Sequence, residues 1–158
     1  ALPAPPPTVA VRSTHPAAPR SSSRTPPPTM SAVPSWRAVL AGLDRRRAAA
    51  FAAQDPAALA AVDAPSSAAL RTDRQTASEL RRRGASPRGL RWDIVDLAVD
   101  SAGPPGVVLR VTDRMPAHEL IGANGAVLAS RPARADRAWR VTLLPGPGGW
   151  RFAEIAAV

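Results

Sequence analysis

The stretch from Ala138 to Val158 limits the fold most. Trp139, Val141 and Leu143 alternate with Arg140 and Thr142, Pro145-Gly146-Pro147-Gly148-Gly149 follows, and Trp150, Arg151 and Phe152 begin a return. Apolar side chains at period two put one face of a strand on a core, and five consecutive Pro and Gly residues turn the chain. This is a β-hairpin pattern, with Trp139 and Trp150 facing a core that upstream sequence must supply.

Period two reaches back to Gly89. Leu90, Trp92 and Ile94 share one face while Val95, Leu97 and Val99 share the other, so the spacing predicts a β-bulge near Ile94-Val95. Pro104-Pro105-Gly106 turns the chain, Val107, Leu109 and Val111 form an inward row opposed by Val108, Arg110 and Thr112, and Leu120 and Ile121 belong to a strand after Met115-Pro116. Asn124-Gly125 carries the signature of a type I′ hairpin turn into Val127 to Ser130. Arg131 to Arg137 reads as a polar connection.

Upstream of Gly89 the period is helical. Ser35 can cap a helix from Trp36 to about Gln54, in which Trp36, Val39, Leu40, Leu43, Arg47, Ala50 and Phe51 form one stripe with a single Arg able to snorkel. Asp55 and Pro56 open a short second helix to Val62, since the missing Pro N–H is not needed at a first helical position. A third helix is expected from about Ser67 to Arg83, with Leu70, Asp73, Ala77 and Leu80 on one face and Gly84 at its end. The expected class is therefore α+β: three N-terminal helices packed on a bent antiparallel sheet of four to six strands, cone-like in form.

That helix order, the stretch from Leu43 to Phe51 followed by Asp55-Pro56-Ala57-Ala58-Leu59, and the terminal Gly149-Trp150-Arg151-Phe152 together resemble the nuclear transport factor 2-like superfamily, which includes ketosteroid isomerase and SnoaL-type proteins. The resemblance covers residues 36–158. It implies a cystatin-like cone, and a choice among enzyme, binding domain and tethered extracytoplasmic scaffold that the fold alone does not make.

Residues 1–35 hold Pro5-Pro6-Pro7, Pro26-Pro27-Pro28 and Ser21-Ser22-Ser23 without helical or strand period. This is linker composition. At roughly 3.1 Å per residue in polyproline conformation it spans on the order of 100 Å when fully extended, enough to hold a domain away from an anchor. A plain disordered tail, or Pro runs recognised by a partner module, are the other readings. The first residue is Ala1 rather than Met, and the chain opens directly in Pro-rich sequence. A removed signal or membrane segment is therefore expected, with a secreted or membrane-tethered location outside the cytoplasm. No run of about 18 apolar residues is present to span a membrane.

The net charge is +9, and every one of the 21 basic residues is Arg. Complete absence of Lys, with abundant Ala, matches the codon bias of a GC-rich genome, so the Arg count says little about function. The charge is compatible with an anionic polymer, but 12 acids are interleaved with it, unlike a nucleic-acid stripe, and nucleic acid is not an expected partner. Arg45-Arg46-Arg47 and Arg81-Arg82-Arg83 read as structural, because successive helical residues point about 100° apart and the second triplet complements a helix C-terminus.

Residue inventory narrows the chemistry. Without Lys there is no Walker loop or Schiff base, and without Cys there is no thiol nucleophile, disulfide or Cys-based zinc site. His15 falls in the linker, leaving His118, and Glu119 beside it points to the opposite face, so no metal and no cofactor is expected. Ketosteroid isomerase-like chemistry uses an Asp base with a Tyr donor, and Tyr is absent. What remains is a candidate pocket of Asp73, Trp92, Arg110 and His118, in which an Asp–Arg pair under a Trp binds a polar ligand. The plainer readings are a structural ion pair at the core margin, a core Trp and a solvated edge His. The expected function is non-catalytic: an interaction or ligand-binding domain on a Pro-rich stalk, meeting a protein or small ligand in the cell envelope, with a homodimer through the sheet as a further arrangement. The alternative is a small-molecule enzyme using Asp73 and His118 as acid and base.

Overall fold

The computed structural model describes residues 34–158. The stretch 1–35 expected to be a linker lies, apart from Pro34 and Ser35, outside the described residues, as does His15.

Helix α1 (Trp36–Ala52) begins where Ser35 Oγ accepts the Ala38 amide at 3.4 Å. Helix α2 (Ala68–Arg82) begins where Ser67 Oγ accepts the Leu70 amide at 3.0 Å, and it gives way to Gly84 at φ +58°. Between them Asp55 Oδ1 accepts the Ala57 and Ala58 amides, but only a four-residue 3₁₀ turn, Ala58–Ala61, follows.

Seven strands come next: β1 (Ala85–Arg88), β2 (Asp93–Gly103), β3 (Gly106–Met115), β4 (His118–Gly122), β5 (Val127–Arg131), β6 (Arg134–Gly146) and β7 (Gly149–Ala157). They form two antiparallel sheets, one of order β1-β4-β5 and one of order β2-β3-β6-β7.

The expected α+β cone of three helices on one bent sheet of four to six strands is therefore corrected to two helices and two sheets. The middle helix is reduced to a 3₁₀ turn: the segment after Pro56 closes i→i−3 bonds, Ala60 to Ala57 and Val62 to Leu59, and a single i→i−4 bond, Asp63 to Leu59, ends it. The sheet divides because Pro116 and Pro132 lack an N–H, so the ladder stops between β3 and β4 and again between β5 and β6. Strand β1 carries no apolar alternation, yet Ala85 and Pro87 lie opposite Gly122 and Leu120. The expected polar connection Arg131 to Arg137 shrinks to Pro132-Ala133, with strand on both sides.

The bulge falls where the period switch places it: pairing passes from Ile94–Asp113 to Asp96–Thr112 and leaves Val95 extra. A second shift follows Val99, so of Val95, Leu97 and Val99 only Leu97 packs on the core. The Asn124-Gly125 turn is not type I′. Between Asn124 and Gly125 only Gly125 has positive φ (+79°), and a three-residue loop, 123–125, is closed by Gly122 N–H to Ala126 O, with Asn124 Oδ1 accepting the Ala126 amide.

The β6–β7 hairpin turns through Pro147-Gly148 alone, its Pro145 and Gly146 remaining in strand opposite Trp150 and Gly149. Val107, Leu109, Val141, Leu143 and Phe152 form the floor of the core under Leu40 and Leu43 of α1. Trp150 meets Trp36 edge-on at 4.9 Å, which ties the hairpin to the start of α1. A Cβ at Gly106 would stand 2.2 Å from Leu143 O and 2.8 Å from Leu144 Cδ2. Gly106→Ala should therefore lower the unfolding free energy by about 2–4 kcal/mol in urea titration; a loss below about 0.5 kcal/mol would mean that β3 and β6 have room to part.

One strap of chain matters for the site. Phe152 N–H bonds Val62 O at 2.9 Å and Ala64 N–H bonds Phe152 O at 2.7 Å, so the residues between the helices run beside β7 and carry Asp63 into the interior.

Candidate functional site

The site grows from Arg47, the one long cation in the apolar stripe of α1. Its Nε and Nη2 reach Asp73 Oδ2 and Oδ1, each at 2.5 Å, a bidentate pair across α1 and α2 in which Asp73 is fully buried. The guanidinium lies 5.0 Å from the Trp92 ring centroid, 5.5 Å from Phe51 and 5.9 Å from Phe152. Burial opposes its charge, but the Asp73 hydrogen bonds and the charges of Asp73, Asp44 and Asp63 outweigh that and push its pKa further up.

Three more carboxyls crowd this cation. Asp63 on the strap is wholly buried and neither oxygen meets a donor. Burial first, then repulsion from Asp73, raises it to about 7, against the pull of Arg47. A protonated Asp63 resolves the orphan, because a carboxylic acid can donate to Asp73 where a carboxylate cannot. Asp44, one turn before Arg47, is also raised to about 7, by burial against the opposing charge of Arg47, with Asp113 and Asp73 adding to the rise. Asp113 on β3 is raised by burial although Trp139 Nε1 donates to it at 3.1 Å and Arg134 pairs with it.

Two cavities open on either side of Arg47 and Trp92. The polar one, about 300 Å³, is bounded by Asp73, Asp113, Arg134 and Trp139 as well. The apolar one, about 430 Å³, lies between α2 and the three-stranded sheet and is bounded by Phe51, Leu80, Leu90, Met115 and Leu120, with His118 and Arg131 as its other ionisable groups.

The four residues expected to form one pocket separate in an informative way. Trp92 stands between the two cavities, Asp73 lines only the polar one, and His118 lines only the apolar one, its Nδ1 3.5 Å from Pro116 O. Arg110 lines neither, being on the solvent face of β3, where it pairs with Asp100 at 2.6 Å. The Asp–Arg pair under a Trp exists, but its Arg is Arg47. With Leu109 and Val111 pointing inward, period two forces Arg110 out. Asp73 and His118 do not share a cavity.

Trp139 is also more than a core anchor: it donates to Asp113, and Arg137 and Arg134 lie 4.4 and 5.4 Å from its ring. Its inward place was readable from alternation, and Arg47 from the α1 stripe. Asp63, Arg134 and Arg131 gave no comparable signal. In the second Arg triplet Arg82 and Arg83 both pair with Glu79 on the exposed side of α2.

No family model and no curated protein matches the chain. Among solved structures it is similar to the intermembrane space region of the chloroplast protein ARC6, with 16% identity and a TM-score of 0.55 over 78% of this chain and 95% of that one. It also matches Aln2 from a Streptomyces species, with 20% identity and a TM-score of 0.49 over 79% and 92% of the two chains. At 16% identity the first likeness speaks to fold alone, and the fold is one that the chain shares over most of its length with an intermembrane-space domain.

Proposed function

We propose that the chain is a distant nuclear transport factor 2-like binding domain without catalytic activity, which takes a small, mostly apolar molecule into the cavity beside α2. The observation that carries this reading is the cavity: about 430 Å³, apolar on most of its wall, backed by Trp92 and Phe51, and within the size range of small-molecule sites. Asp73, the acid an enzyme would use, is held through both oxygens by Arg47, away from His118. The domain is carried by residues 1–35 as a stalk outside the cytoplasmic membrane, in a cell-envelope protein. Their Pro-rich composition supports that placement, and so does the intermembrane-space origin of the ARC6 neighbour. No helix among the described residues is long and apolar enough to cross a membrane.

N-Phenyl-1-naphthylamine, a neutral apolar fluorophore, tests the reading. Its emission should rise saturably with the native protein. Thr76→Trp should weaken binding at least tenfold, because Thr76 is exposed on α2 at the rim of this cavity and a ring there covers the opening. No saturable rise with the native chain, or equal binding by the variant, would overturn it.

A further inference from the structure

We infer that the ligand is an anion with an apolar body, a medium-chain monocarboxylate, and that Arg131 with His118 receives its head group. The inference rests on the binding-domain reading and adds the ligand class. Of the residues around the cavity two are Arg and one is His, and none is acidic. The two arginines differ: Arg47 is largely covered and neutralised by Asp73, whereas Arg131 is exposed and makes no ion pair among the described residues.

Arg131 and His118 lie directly opposite each other across β4 and β5, so their side chains share one face of the sheet at one edge of the cavity. The nearest acid in sequence, Glu119, points to the other face and is held by Arg88 through Nε at 3.0 Å and Nη2 at 2.5 Å. Among the described residues no carboxylate pairs with Arg131 or His118. Of the cavity's lining Phe51 is buried and Arg131 is exposed, so a ligand is placed with its apolar end toward Phe51 and its polar end beside Arg131. A guanidinium fork matches a carboxylate in two hydrogen bonds, which a neutral hydroxyl cannot reproduce and a cation opposes. At roughly 30 Å³ per water-sized group, the 430 Å³ volume admits about fourteen heavy atoms, enough for a chain the size of decanoate.

Displacement of N-phenyl-1-naphthylamine by decanoate, decanol and decyltrimethylammonium at pH 7.5 separates the possibilities. Decanoate should compete at least tenfold better than decanol, and the ammonium compound should not compete. Arg131→Gln should abolish the preference, bringing decanoate to the level of decanol when both are measured on the same variant; Arg131 is exposed on the edge strand β5. If decanol equals decanoate, or if the variant keeps the preference, the carboxylate inference falls while the binding cavity stands. If the fluorophore itself does not bind, both fall.

Discussion

Arg47→Met should lower the unfolding free energy at pH 7 by about 3–5 kcal/mol, with little change in the urea m-value. The loss is that of breaking a buried pair from one side. Asp73 stays at 1% exposure with no cation on it, and Asp44 and Asp63 lose the charge that opposes their desolvation. Contacts of the guanidinium with Trp92, Phe51 and Phe152 go as well, in part replaced by the thioether. Arg47→Lys should recover little, because an ammonium cannot make both bonds of the fork. Adding Asp73→Leu to Arg47→Met should restore at least half of the loss, since an apolar pair of similar volume leaves no buried charge between α1 and α2. A loss under about 1 kcal/mol for Arg47→Met would mean that water reaches Asp73 freely and that the pair is a surface one.

The same residue shows how far the chain can be read in advance. Its place in the stripe with Leu40, Leu43 and Phe51 was plain, but a long Arg on an apolar face is compatible with snorkelling outward, and only the position of α2 decides that it turns inward to Asp73. Asp73 was readable for the opposite reason: a short side chain between Leu70 and Ala77 cannot reach water from a buried face, so it has to find a cation. Period two likewise gave the rows of β3 and β6 and the bulge at Val95. What escaped was long-range. Prolines 116 and 132 interrupt the ladder, but that the smaller sheet gains a third strand depends on β1 pairing with β4, and Ala85-Ser86-Pro87-Arg88 has no local pattern to announce it. Hence the cavity between α2 and the smaller sheet, and the pairing of His118 with Arg131 beside it, follow from topology and not from spacing.

Asp63 was hidden for a related reason, since a carboxyl at the end of a short helix looks like a solvated cap until the strap pairs with β7. Its substitution should make the domain more stable at pH 8 and leave it nearly unchanged at pH 5. The folded state holds its proton up to about 7, whereas an ordinary aspartyl group releases it at 3.8, burial being the first cause and Asp73 the second. Between these values the folded chain binds a proton that the unfolded chain has lost, so stability declines as pH rises, by about 1.4 kcal/mol per pH unit, and levels off once both states are ionised. Asp44 adds a slope of the same sign in the same window. Glu79 and Asp136, lowered by their Arg partners, act in the opposite sense, but below their ordinary values of 4.5 and 3.8 and thus outside the range from pH 5 to 8. Asp63→Asn keeps the shape, removes the titration and supplies an amide donor for Asp73. Urea unfolding from pH 5 to 8 should show the native curve falling steeply and the variant falling about half as steeply, with the variant ahead at pH 8 by about 3 kcal/mol. Parallel curves would mean that Asp63 is already ionised in the folded state at pH 5 and draws its compensation from Arg47.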